Sequence, residues 1–124
     1  LRIVYTLARH NKQLSAKTLS EETGVTIRFT LKILRRLSEY KIVAANKGAT
    51  GGYYLTADIS ELSLGHIIEC IDGPLKLNHC LSEDFDCTRV SDKNCCPFHC
   101  LLAEISTELR DRLYNAKIIN FINK

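Results

Sequence analysis

The chain holds 124 residues, enough for one domain or a small domain with an appendage, and 45% of them are hydrophobic, which suffices for a core. The formal net charge of +3 is unevenly placed: residues 1–56 carry ten bases against three acids, residues 57–100 three against eight, and residues 101–124 four against three. No apolar run approaches the ~20 residues needed to cross a bilayer, which excludes a helical membrane span in this stretch. No secretory leader is visible, so a cytoplasmic location with reduced thiols is expected. The basic front half suits an anion or a nucleic acid, although many solvated helix faces are as basic.

In chain order, Leu1, Val4, Tyr5 and Ala8 recur at helical spacing, widened by Ile3 and Leu7. A turn follows at His10–Gln13. Ser15 is placed to cap a short helix, Ala16 to Thr23, and Gly24 supplies the next turn. Thr26 is placed to cap a second helix through Ile27, Leu31, Leu34 and Leu37 to about Tyr40. Helix, glycine turn, helix is the spacing of a helix-turn-helix. On the second helix, Arg28, Lys32 and Arg35 form one stripe opposite the apolar side, with Arg36 beside it. A recognition helix needs that division, and a solvated amphipathic helix shows it too.

Ile42–Asn46 reads as a strand, KGATGG (Lys47–Gly52) as a tight loop, and Tyr53–Thr56 as the returning strand. A hairpin directly after a helix-turn-helix makes a winged helix. Lys47 stands at the wing base, within reach of phosphates or a minor groove. In LSLGHIIECIDGPL, Leu64, Ile67, Ile68 and Ile71 predict a short helix stopped by Gly73-Pro74, with Cys70 as a small core residue and His66 at the surface or in a satisfied core position. Beyond Cys100, Leu102, Ile105, Leu109 and Leu113 predict a long helix with a seam suited to a two-fold dimer. The expected organisation is therefore a winged helix-turn-helix over 1–62, a connecting helix and cysteine-rich loop over 63–100, and a dimerisation helix over 101–124. The fold class is mainly α with a small β-wing.

His79–Cys100 (HCLSEDFDCTRVSDKNCCPFHC) holds five of the six cysteines and two of the four histidines. A disulfide framework belongs to secreted chains. Structural zinc prefers short Cys pairs, whereas the gaps from Cys80 to Cys87 and from Cys87 to Cys95 are wide. A thiol switch needs only two accessible cysteines. An iron–sulfur cluster wants three or four soft ligands from an irregular loop, which this stretch can supply. The residues alone leave these chemistries open.

The motifs LSEETGVTIRFTLKILRRLSEYKIV, KGATGGYYL, LSLGHIIECIDGPL and CCPFHCLLAEISTELRDRLYNAKI together resemble the winged-helix regulators of the IscR/NsrR type, the Rrf-two superfamily. The resemblance covers essentially the whole chain. It implies a non-enzymatic, cytoplasmic, homodimeric regulator of transcription that binds promoter DNA. It also implies a cluster held by three cysteines, here Cys80, Cys87 and Cys96, with His99 at the histidine position of the IscR-like branch. A 2Fe–2S cluster is favoured over 4Fe–4S. Cys95 is one residue out of register, Cys100 is a spare thiol, and His79 neighbours a ligand. Leu31 stands where IscR-like proteins often carry a discriminating Glu, and Lys47 where the family often has a minor-groove Arg. Family members usually carry a further segment ahead of the position of Leu1 that helps contact DNA.

On this reading Thr26, Arg28, Phe29 and Lys32 approach base edges, while Arg35, Arg36 and Lys47 hold phosphates or the minor groove. The cluster would report redox, nitric oxide or iron–sulfur status. The alternatives are the same fold acting through zinc or a thiol/disulfide pair, and, from another class, a small electron carrier or redox enzyme.

Overall fold

The computed structural model describes residues 1–77, 81 and 96–122. Its elements run α1 (Arg2–His10), α2 (Ala16–Thr23), α3 (Ile27–Glu39), β1 (Val43–Asn46), β2 (Gly52–Leu55), α4 (Leu64–Asp72), α5 (Pro97–Asn115) and α6 (Ile119–Ile122).

Local signals explain the first three helices. In α1, Ile3, Val4, Leu7 and Ala8 are buried along one side. Ser15 Oγ accepts from the Thr18 N–H at 3.1 Å and starts α2. Gly24, at φ 72°, ends it, because a left-handed residue there lets its N–H reach the Ser20 carbonyl at 3.0 Å. Thr26 Oγ then accepts from Phe29 N–H at 3.3 Å and starts α3. Such caps each contribute about 1 kcal/mol. α3 buries Thr30, Leu34 and Leu37, and α2 packs on both α1 and α3.

β1 and β2 pair antiparallel from Val43↔Leu55 to Asn46↔Gly52. Leu14, between α1 and α2, adds a one-residue bridge to β2 through reciprocal backbone bonds with Tyr53 at 2.9 and 2.7 Å. A Cβ on Gly52 would lie 2.7 Å from the Leu14 carbonyl oxygen, so a side chain there would push the wing off the helix-turn-helix.

Leu7, Leu19, Leu34, Leu37 and Ile67 are almost fully inaccessible and belong to one core. Each contributes about 1.5–3 kcal/mol by burial. Because Ile67 comes from α4, that helix belongs to the winged-helix core rather than to a loosely tethered connector. α4 in turn packs on α3 and α5.

The long C-terminal helix differs from the expected 101–124. It begins at Pro97, with Cys96 as its N-cap residue, and ends at Asn115. Proline suits the first helical turn because its missing N–H has no partner to lose there. The helix stops because residues 116–118 are drawn into pairing with the segment before α4. The Leu64 N–H donates to the Ala116 carbonyl at 2.9 Å, and the Ile118 N–H donates to the Leu62 carbonyl at 2.8 Å. Ile118 enters the core and α6 packs on α1.

α4 and α5 interlock. Glu69 accepts from Arg110 Nε and from the Tyr114 hydroxyl, both at 2.8 Å. The Arg110 guanidinium lies 4.5 Å from the Tyr114 ring centre, and that ring meets His66 edge-on at 4.6 Å. The ring also covers Gly65, where a Cβ would sit 2.2 Å from Tyr114 Cδ2.

Candidate nucleic-acid interface and cluster site

With Thr30, Leu34 and Leu37 turned into the core, the opposite side of α3 presents Arg28, Lys32 and Arg35, all exposed. Phe29 is also exposed, and Thr26 shares its hydroxyl with the helix start. Lys47 is exposed at the end of β1. The wing is tied to the helix-turn-helix by Gln13, whose amide donates to the Thr50 carbonyl and accepts from Asn46 Nδ2 at 2.5 Å. Gln13 thus fastens the wing tip to the turn between α1 and α2. Its place in a turn made it unremarkable in the sequence.

Arg36 behaves differently from its neighbours on α3. Its Nε donates to the Cys70 carbonyl of α4 at 3.1 Å, and its guanidinium lies 3.6 Å from Glu39 and 5.8 Å from the centre of the Tyr40 ring. Arg35, among the described residues, reaches only the exposed Glu39, at 3.7 Å. The Cys70 thiol donates back to the Arg36 carbonyl at 3.7 Å, and burial pushes that thiol above its ordinary pKa. Cys70 is 2% exposed, which matches its reading as a core residue. His66, whose Nδ1 accepts from the Ser63 N–H at 3.2 Å, completes the capping box that starts α4.

Of the expected cluster ligands, Cys80 and Cys87 lie outside the described residues, as do His79 and Cys95. Cys96 and His99 lie at the start of α5, three residues apart, and both are half-buried. The Cys96 side chain makes no capping hydrogen bond. His99 Nδ1 is buried and, among the described residues, has no hydrogen-bond partner. A buried polar atom left unpaired costs about 1–3 kcal/mol, and a metal bond is one way to satisfy it. Soft sulfur beside imidazole suits iron–sulfur or zinc. Among the described residues no three such donors gather into a metal site. Cys100 is exposed on the first turn.

The whole chain, residues 1–124, matches the model of the Rrf2 family, described as an iron-dependent transcriptional regulator. The chain belongs to the Rrf2 family. It is 27% identical over 105 residues to the HTH-type transcriptional regulator IscR of Yersinia pseudotuberculosis, covering 85% of this chain and 62% of that one. The chain thus spans less than two thirds of the length of these curated relatives. Among solved structures it is similar to CymR, the global cysteine regulator of B. subtilis (TM-score 0.75, 18% identity, 98% of this chain and 88% of that one). It is similar as well to T. potens IscR (TM-score 0.71, 19% identity, 98% and 79%). At these identities the structures establish the Rrf2 winged-helix fold and no more. Members named in this family are transcriptional regulators rather than enzymes. Among the described residues no helix is long and apolar enough to cross a membrane.

Proposed function

We propose that this Rrf2 chain binds promoter DNA as a homodimer in the cytoplasm and regulates transcription through an iron–sulfur cluster. The observation that carries the DNA reading is the exposed stripe of Arg28, Lys32 and Arg35 on α3, beside a wing bearing Lys47. In this reading Thr26, Arg28, Phe29 and Lys32 reach base edges, while Arg35 and Lys47 hold phosphates or the minor groove. Arg36 contributes less to phosphate binding, because its guanidinium is engaged by α4. The homodimer is supported by Leu101 and Ile105, large apolar side chains exposed one turn apart on α5.

Cys80, Cys87, Cys96 and His99 would hold the cluster, with 2Fe–2S favoured over 4Fe–4S. The buried Nδ1 of His99, unpaired among the described residues and carried on the same first turn of α5 as Cys96, supports this assignment. A bound cluster would supply redox- and nitric-oxide-sensitive iron. The protein's own part is transmission. α5 carries Cys96 and His99, grips α4 through Arg110, Tyr114 and Glu69, and α4 grips α3 through Cys70 and Arg36. Ordering or loosening the start of α5 would shift α3 through these grips. A coupling of ~1–3 kcal/mol suffices for a 5–150-fold change in affinity.

The test is reconstitution without oxygen. Iron and acid-labile sulfide in stoichiometric amounts, with visible absorption lost in Cys80→Ala, Cys87→Ala and Cys96→Ala, are expected. Full colour in all three variants would overturn the ligand set. The exposed Cys100, one turn from Cys96 on α5, supports a second reading, regulation through thiols. That reading predicts no metal and a reversible disulfide, and zinc without sulfide would identify a zinc-based form.

A further inference from the structure

α3 carries more than a basic stripe. Ile27, Phe29 and Leu31 are 46%, 53% and 45% exposed, three large apolar side chains within five residues. At 100° per residue, Phe29 lies on one shoulder of the Arg28–Lys32–Arg35 stripe, and Ile27 and Leu31 lie on the other. The two shoulders and the stripe form one continuous solvent-facing surface, and all three residues lie in the first turns of α3. The N-terminal residues of a recognition helix are the ones that reach base edges.

Exposed apolar side chains grouped in this way mark a contact surface. The three cations between them select a polyanion over an apolar protein partner. In the major groove the apolar group on the base edges is the 5-methyl of thymine, and aliphatic and aromatic side chains are its usual partners. We infer that α3 reads thymine methyl groups through Phe29 and Leu31, with Ile27 adding to the Leu31 shoulder, so that the preferred half-site places thymines on both sides of the bases or phosphates met by the basic stripe. This inference rests on the DNA-binding reading above and specifies the ligand of that same face.

The experiment selects bound duplexes from a random pool with the full chain, then replaces each thymine of the selected half-site with deoxyuridine, which removes only the methyl. Binding is measured for the wild type, Phe29→Ala and Leu31→Ala. Both side chains are exposed, so neither truncation opens a core cavity. The expected result is a loss of about fourfold per contacted methyl. That loss should vanish at one thymine in Phe29→Ala and at a different thymine in Leu31→Ala. Specific binding that tolerates every deoxyuridine, or selected sites without thymine beneath α3, would overturn the inference and leave the DNA reading standing. Truncations that change the oligomeric state but not the thymine–uracil ratio would also overturn it, and would assign the face to a second copy of the chain. Failure of the pool to yield any specific duplex, with the protein reconstituted, metal-free or oxidised, would overturn both.

Discussion

Arg36 and Cys70 hold each other across the α3–α4 boundary: the guanidinium donates to the Cys70 carbonyl at 3.1 Å, and the thiol donates to the Arg36 carbonyl at 3.7 Å. The first bond satisfies a carbonyl in the last turn of α4 with a cation, the arrangement that a helix C-terminus favours. The pair joins α3, the helix proposed to face DNA, to the helix that leads toward the cysteine stretch.

Replacing Arg36 with Ala is therefore expected to cost about 1 kcal/mol, and to lower the thermal midpoint by about 3–5 °C. Arg35→Ala, which loses an exposed ion pair, should stay within about 0.5 kcal/mol. Urea unfolding of both variants makes the comparison. Equal effects would mean that the α4 bond adds nothing.

Gly65 is the tightest point between α4 and α5. Gly65→Ala would force a Cβ against the Tyr114 ring, and a cost of about 1–3 kcal/mol is expected. The same substitution in a Tyr114→Ala background should be nearly neutral, since the obstructing ring is gone. A double-mutant cycle by denaturant unfolding reads this coupling, and additive effects would contradict the packing account.

Burial pushes the Glu69 carboxyl up, but the bonds from Arg110 and Tyr114 outweigh it and hold the group below its usual range. A carboxylate depressed in the folded state stabilises it above the unfolded pKa of about 4.3. That contribution disappears as pH falls through the lower folded value. Stability should thus decline in acid more steeply in the wild type than in Glu69→Gln, which has no carboxylate to protonate at that position. Urea midpoints between neutral pH and about pH 3 would show it, and parallel curves would refute it.

Arg28 and Lys47 are expected to fail differently. Arg28→Ala should cost about 1–3 kcal/mol and relax preference at one base pair. Lys47→Ala should weaken all duplexes alike and reduce the slope of log affinity against log salt by about one per subunit. Titrations at several salt concentrations on matched and mismatched duplexes separate the two roles. Identical signatures would mean that α3 and the wing do not divide the work as proposed.

Much of the winged helix was legible because its signals are local. Ser15 and Thr26 cap the helices that the sequence assigns to them, Gly24 ends α2, and the hairpin falls within a residue of its expected ends. The basic stripe on α3 follows from helical periodicity alone, and the burial of Cys70 from its apolar neighbours and small apolar character. At the start of α5 the signal was present in Pro97, a residue suited to a first helical turn, yet the cysteine pattern drew the boundary to Cys100.

Other features come from contacts between residues far apart in the chain. Nothing near Asn115 announces a helix end. The break comes from residues 62–64, whose backbone groups capture Ala116 and Ile118. Arg36 looks like Arg35 in sequence, and only the position of the Cys70 carbonyl, 34 residues away, separates a tie from a solvated cation. Gly65 reads as a weak spot in a helix until the Tyr114 ring is seen to need its missing Cβ. Where helices begin, which faces are apolar and where charge lies are local properties, because neighbouring residues set them. Which polar groups meet, and hence how the start of α5 is linked to α3, depends on packing that brings distant backbone and side-chain groups within hydrogen-bond range.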